Sequence, residues 1–190
     1  MLIYLHGFNS SPGSHKAQLL KRHMEEHGLG DQYCCPALPA LGLHAIAAVE
    51  AEIARHPRVA VTLVGSSLGG FYSSYLAERH DLRAVLINPA VRPHEDLRAY
   101  LGTQRNLYTQ QQYELTEEHL RQWEKLYLPT VRPQRYLLLV ETGDEVLDYH
   151  EAVEKYRGAR QIVIEGGDHS LISFPQHIPL ILEFAGLARA

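Results

Sequence analysis

Val61-Thr62-Leu63-Val64-Gly65-Ser66-Ser67-Leu68-Gly69-Gly70 is an apolar, β-branched run that stops at Gly-x-Ser-x-Gly. The residues that follow, Phe71-Tyr72-Ser73-Ser74-Tyr75-Leu76-Ala77, suit a helix. A strand, a sharp turn and a helix with a serine at the turn make a nucleophile elbow. The turn holds the serine at strained backbone angles, and the flanking glycines let strand and helix come close. The hydroxyl then stands above the sheet, at the positive end of the new helix. Ser67 has glycines at both required positions, Gly65 and Gly69, whereas Ser66 would need them at Val64 and Leu68. Short Gly/Ser patterns arise by chance, so partners elsewhere in the chain must decide the matter.

Outward from the elbow, strand-like and helix-like stretches alternate. Strands are expected at Leu2 to Leu5, Tyr33 to Leu38, Arg58 to Val64, Arg83 to Ile87, Tyr136 to Glu141 and Gln161 to Glu165. Helices are expected at Ser14 to His27, Leu43 to Arg55, Leu68 to Arg79 and Phe174 to Ala188; Pro175 and Pro179 blur the start of the last. Strands separated by helices imply an α/β fold: a six-stranded, mainly parallel sheet covered on both faces. The 190 residues suit one domain, 1–190. Residues 92–132 break the rhythm as an insertion of about forty residues, expected to be mostly helical and a candidate lid. Thr116-Glu117-Glu118 reads as a helix start within it.

Composition excludes several functions. A net charge of −4, from 18 basic and 22 acidic residues, and the lack of a basic run argue against a nucleic-acid binder. Adjacent Cys34 and Cys35 give no disulfide framework, which suits a reduced, cytoplasmic setting. The first residues lack a basic leader, and no stretch approaches the ~20 apolar residues of a membrane span.

A serine hydroxyl needs a base, and the base an orienting acid. Glu141-Thr142-Gly143-Asp144-Glu145-Val146 follows an apolar strand, and Gly166-Gly167-Asp168-His169-Ser170 follows the last strand. Ser67, Asp144 and His169 thus leave the carboxyl ends of parallel strands in the order expected for this kind of site. Asp144 on its own could simply cap a turn. Asp148, expected in the next helix, and Glu145 are the other candidate acids, while Asp168 is expected to fix its loop. Of 12 histidines, His169 is the one in a glycine-rich loop between the last strand and the final helix. The backbone N–H groups of Leu68 and Phe8 are the expected oxyanion donors, with His6 supporting the Phe8 loop.

Leu5-His6-Gly7-Phe8, Gly65-Ser66-Ser67-Leu68-Gly69-Gly70, Thr142-Gly143-Asp144-Glu145 and Gly167-Asp168-His169-Ser170 together resemble the α/β-hydrolase superfamily. The opening Leu-His-Gly-Phe-Asn-Ser-Ser-Pro is similar to that of the YqiA-type bacterial esterases, and the likeness runs from residue 2 to about residue 185. It implies a hydrolase of small-molecule carboxylic esters or acyl thioesters, with Ser67, Asp144 and His169 as triad and no cofactor or metal. Relative to larger members, the chain starts at what would be their third strand, which raises the question of a homodimer. Two other functions compete. His23-Met24-Glu25-Glu26-His27 matches an inverted zincin pattern. A non-catalytic ligand-binding protein on the same fold is the alternative. Arg92, Arg98 and Arg105 could meet a phosphate such as that of coenzyme A, although surface arginines are usually solvated.

Overall fold

The computed structural model describes residues 1–188. In chain order the elements are β1 (Leu2–Leu5), α1 (His15–Glu26), β2 (Tyr33–Cys34), α2 (Gly42–Ala54), β3 (Thr62–Ser66), α3 (Leu68–His80), β4 (Arg83–Ile87) and α4 (Pro93–Asp96). Then come β5 (Gly102–Arg105), β6 (Gln112–Leu115), α5 (Glu117–Leu126), β7 (Tyr136–Glu141), α6 (Tyr149–Lys155), β8 (Arg160–Ile164) and α7 (Phe174–Phe184). Six strands form one sheet in the order β2-β1-β3-β4-β7-β8, with every neighbouring pair parallel. The expected α/β-hydrolase arrangement of six strands with helices on both faces is the one observed.

Strand alternation decides which helices cover which face. Ile3, Leu5, Leu63, Leu86, Leu138 and Val140 point to the face covered by α2, α3, α5 and α6. Leu2, Tyr4, Val64, Val85, Ile87, Leu137 and Leu139 point to the other, where α1 and α7 pack through Leu20, Met24, Phe174 and Ile181. β1 has β2 on one side and β3 on the other, so chain direction across the sheet reverses there. The loops after β1 and β3 therefore diverge and leave a crevice at the sheet's carboxyl edge.

Several boundaries differ from expectation for local reasons. β2 has two residues because Pro36 has no N–H to extend the pairing, and the Leu38 N–H instead donates to His6 Nε2 at 3.2 Å. β3 starts at Thr62 because residues before it turn, with Val59 N–H donating to His56 O. α7 stops at Phe184: Gly186 takes φ +70° and Leu187 N–H returns to Leu182 O at 2.8 Å, a Schellman closure. Among the described residues, no helix is long and apolar enough to cross a membrane.

The insertion corrects the sequence reading most. It is not mostly helical: between α4 and α5 it carries an antiparallel hairpin, β5–β6, pairing Gly102 with Leu115 and Arg105 with Gln112. Asn106 shapes its tip, its Oδ1 accepting from the N–H groups of Tyr108 and Thr109, both at 2.9 Å. The helix start at Thr116 is observed; the Thr116 N–H donates to His119 Nδ1 at 3.1 Å. α5 is part of the core. Trp123 is fully buried and its indole N–H donates to Tyr72 Oη at 2.7 Å. Trp123→Ala should therefore cost about 3–5 kcal/mol in urea denaturation, as for a core aromatic. A loss within ~0.5 kcal/mol, typical of a solvated surface, would contradict this placement.

Candidate active site

Ser67 stands at the junction of β3 and α3 with φ +55° and ψ −122°, an unusual backbone for a residue with a Cβ. Packing maintains it. A Cβ at Gly65 would collide with the Gly69 carbonyl and Ser73 Oγ, and one at Gly69 would collide with the Leu5 carbonyl. The Ser67 N–H donates to Ile87 O at 3.0 Å, and its carbonyl accepts from Gly70 and Ala90 N–H. Its hydroxyl makes no capping bond to α3. Backbone contacts thus hold the residue while Oγ stays uncommitted.

Asp144, on the loop after β7, and His169, on the loop after β8, meet directly. Imidazole Nδ1 lies 2.9 Å from Asp144 Oδ1 and 2.8 Å from Oδ2. An ionised carboxylate only accepts, so Nδ1 carries the proton and Nε2 of the neutral ring keeps a free lone pair. The Asp144 side chain is 1% exposed and that of His169 22%. Burial pushes the Asp144 pKa up, but hydrogen bonds from His169 and from the Leu147 and Val146 N–H groups outweigh it and hold the carboxyl below its ordinary value. Asp148 is elsewhere, capping α6 through the His150 N–H at 3.0 Å. Glu145 accepts from the His169 N–H at 2.9 Å and does not touch the imidazole.

Ser67 and His169 line one cleft of about 520 Å³, together with Gly7, Phe8, Lys16 and Tyr108. Among the described residues no hydrogen bond joins Ser67 Oγ to the imidazole; such contacts tighten when substrate orders a site. A second cavity of about 280 Å³, lined by Leu38, Leu68, Tyr72 and Tyr113, adjoins it and shares Gly7 and Phe8. Phe8 lines both cavities and Leu68 the smaller one, and their N–H groups, expected as oxyanion donors, have no acceptor among the described residues. Gly7 suits this position, since a Cβ on it would lie 3.2 Å from Ser67 Cβ, a tight contact that would press on the elbow. His6 supports the loop as expected. With Nε2 accepting from Leu38, its Nδ1–H donates to Gly7 O at 3.2 Å, and burial lowers its pKa, favouring this neutral form.

The hairpin forms the roof. Leu107 and Tyr108 line the larger cavity and Asn106, Gln111 and Tyr113 the smaller. It is tied to the Phe8 loop by Leu107 N–H to Asn9 O (2.9 Å), Asn106 Nδ2 to Ser10 O (2.7 Å) and Tyr113 Oη to Asn9 Oδ1 (2.8 Å). His23 and His27 lie far along α1 from its cleft end, their rings stacked 4.1 Å apart. Among the described residues no group of three or more His, Cys, Asp and Glu side chains could hold a metal ion. Of the arginines considered for phosphate, Arg92 pairs with Glu95 and Glu151, and Arg98 with Glu117.

Four residues hold this edge without having stood out as site residues: Asn88, Glu141, Lys16 and, in part, Glu145. Lys16 Nζ donates to Ser170 O at 2.7 Å. The Glu141 carboxylate accepts from Asp168, Ile172 and Ser173 N–H and from Ser173 Oγ. A visible signal existed for Glu141: it is a charged residue ending the apolar run Tyr136-Leu137-Leu138-Leu139-Val140.

The model of an uncharacterised protein family, UPF0227, matches residues 1–186, and the chain belongs to that family. A UPF0227 protein of Pectobacterium carotovorum subsp. carotovorum is 31% identical over 98 residues, covering 51% of this chain and 54% of that protein. The chain thus spans about half the length of the curated relative it matches. The solved structure of α/β-hydrolase domain-containing protein 10 from mouse is similar at a TM-score of 0.74 and 15% identity, covering 97% of this chain and 89% of that one. A monoacylglycerol lipase of Paleococcus ferrophilus is similar at a TM-score of 0.66 and 16% identity, covering 98% and 94%. These likenesses show that the chain has the fold of α/β hydrolases.

Glu141 makes a prediction about pH. Burial raises its pKa, but the Ser173 hydroxyl and three backbone N–H groups outweigh burial and hold it below the ordinary 4.5. A carboxyl lowered on folding stabilises the protein above its unfolded pKa, and that stabilisation is lost as pH falls through the folded value. The stability gap between wild type and Glu141→Gln, from urea melts, should be full at about pH 7 and shrink below about pH 4. A gap unchanged across that range would mean that the carboxylate charge is not what the loop binds.

Proposed function

We propose that this chain is a serine hydrolase that cleaves small-molecule carboxylic esters or acyl thioesters through an acyl-enzyme. One observation carries the reading. The Asp144 carboxylate bridges Nδ1 of an imidazole whose other nitrogen is free, and that imidazole shares a cleft with a hydroxyl held at an elbow. Ser67 Oγ attacks the acyl carbonyl carbon while His169 Nε2 takes its proton. Asp144 keeps the ring in the required tautomer and stabilises the imidazolium that forms. The Phe8 and Leu68 N–H groups receive the negative charge as the carbonyl becomes tetrahedral. The intermediate collapses, the leaving oxygen or sulfur takes the proton from His169, and Ser67 keeps the acyl group. Water, deprotonated by His169, then attacks the same carbonyl; the bond to Ser67 Oγ breaks, His169 returns the proton to Oγ, and the carboxylic acid leaves. The cleft that holds Ser67 offers room for one side of the substrate, and the smaller cavity next to it, which shares Gly7 and Phe8, offers room for more.

A fluorophosphonate probe tests the nucleophile. Wild type should be labelled and folded Ser67→Ala should not; an unlabelled, folded wild type would refute the reading. Asp144→Asn should lower kcat on p-nitrophenyl butyrate by about 10⁴-fold, because the carboxamide no longer enforces the tautomer. A loss under about tenfold would mean that Asp144 is not the orienting acid.

A further inference from the structure

Asn88 and Glu141 are buried polar residues that take no part in proton transfer or in oxyanion binding. Asn88 follows β4 directly and Glu141 ends the neighbouring β7, and the Glu141 N–H donates to Asn88 Oδ1 at 3.0 Å. They are 2% and 1% exposed. From this shared platform both reach the loop that carries His169. Asn88 Nδ2 donates to the carbonyls of Asp168 and His169, each at 3.1 Å. Glu141 Oε2 accepts from Asp168 N–H (3.0 Å) and Ile172 N–H (3.1 Å), and Oε1 from Ser173 N–H (3.1 Å) and Ser173 Oγ (2.5 Å).

The chemistry of this bracket is unusual for a loop anchor. A carboxylate offers about four lone-pair sites, and this loop fills all four with neutral donors. Burying a charge is costly unless hydrogen bonds replace its hydration, so the carboxylate and the loop conformation depend on each other. Gly167, at φ +72°, keeps the space open, since a Cβ there would collide with the Glu141 carboxylate. The consequence falls on His169. Its carbonyl is held by Asn88 and its N–H by Glu145, so both peptide bonds flanking its Cα are fixed. Only side-chain rotation remains, and Asp144 fixes that through Nδ1.

On the serine-hydrolase reading given above, we propose that Asn88 and Glu141 are positioning residues that set where His169 Nε2 lies relative to Ser67 Oγ. They then govern proton transfer to and from the substrate rather than its binding. A misplacement of about 1 Å is enough to cost on the order of 100-fold in rate.

Glu141→Gln and Asn88→Ala, assayed on p-nitrophenyl butyrate and ethyl butyrate, test this. In folded protein each should lower kcat by about 10–100-fold and leave KM within roughly twofold. The loss should be larger on ethyl butyrate, because ethoxide must be protonated by His169 on departure whereas p-nitrophenolate leaves without a proton. A merely structural role would reduce both substrates equally, in proportion to the folded fraction measured by circular dichroism. That result, or a kcat within roughly twofold of wild type, overturns the proposal. If either substitution prevents folding, Ser173→Ala removes one of the four donors and should give a smaller loss with the same substrate dependence; equal loss on both esters, or none, overturns it. Fluorophosphonate labelling separates the two failures. An unlabelled wild type ends the hydrolase reading, and this proposal with it. Labelling at Ser67 alongside unimpaired variants ends the positioning claim alone.

Discussion

One close approach underlies the carboxyl edge of this sheet: α3 sits directly on the ends of β1 and β3 because Gly65 and Gly69 have no side chains. Any Cβ at either glycine would overlap backbone atoms. With the helix that close, the chain between Ser66 and Leu68 has one residue in which to turn, and Ser67 takes up φ +55°. Such a backbone costs of order 1–3 kcal/mol and persists because the sheet on one side and the helix on the other leave no alternative. The same approach brings the N-terminus of α3 beside the Phe8 loop, so the hydroxyl, the free N–H groups and the cleft all follow from two missing methyl groups.

The second constraint is how a loop can be made rigid without a core of its own. The segment from Asp168 to Ser173 buries few side chains, yet its backbone polar groups reach defined partners: Glu141, Asn88, Glu145 and Lys16. β7 is buried along its whole length and β4 from Ala84 to Ile87, so side chains at their carboxyl ends make firm anchors. A buried carboxylate contributes little to net stability compared with apolar packing, but it demands one arrangement of its donors. Asp144 and Glu141, three residues apart at the end of one strand, divide the work. One orients the ring and the other holds the backbone beneath it.

Much of this was legible from residues alone. Ser67, Asp144 and His169 each sit just past an apolar run, where periodicity ends and a glycine turn begins, and parallel topology brings such turns to one edge. Phe8 and Leu68, the proposed oxyanion donors, take their places from the same turns, so their positions are local. Asn88 acts on the His169 loop across 81 residues and Glu141 across 27, contacts that no local pattern encodes. The hairpin was missed for a related reason. Gln104, Gln110, Gln111 and Gln112 are tolerated in helices, while the turn depends on the Asn106 side chain bonding its own loop. β2 is shorter than the stretch Tyr33 to Leu38 suggests because Pro36 alone, lacking an N–H, stops the pairing.

The central claim is that Ser67 carries the acyl group between two half-reactions. Mixing the protein with excess p-nitrophenyl butyrate, quenching in acid within the first turnovers and mapping peptides by mass spectrometry tests it directly. The account predicts one butyryl group on the peptide containing Ser67, absent from Ser67→Ala and accumulating in His169→Ala only far more slowly. Turnover of the ester by folded protein with no acylated peptide, or with the acyl group on another residue, would contradict it.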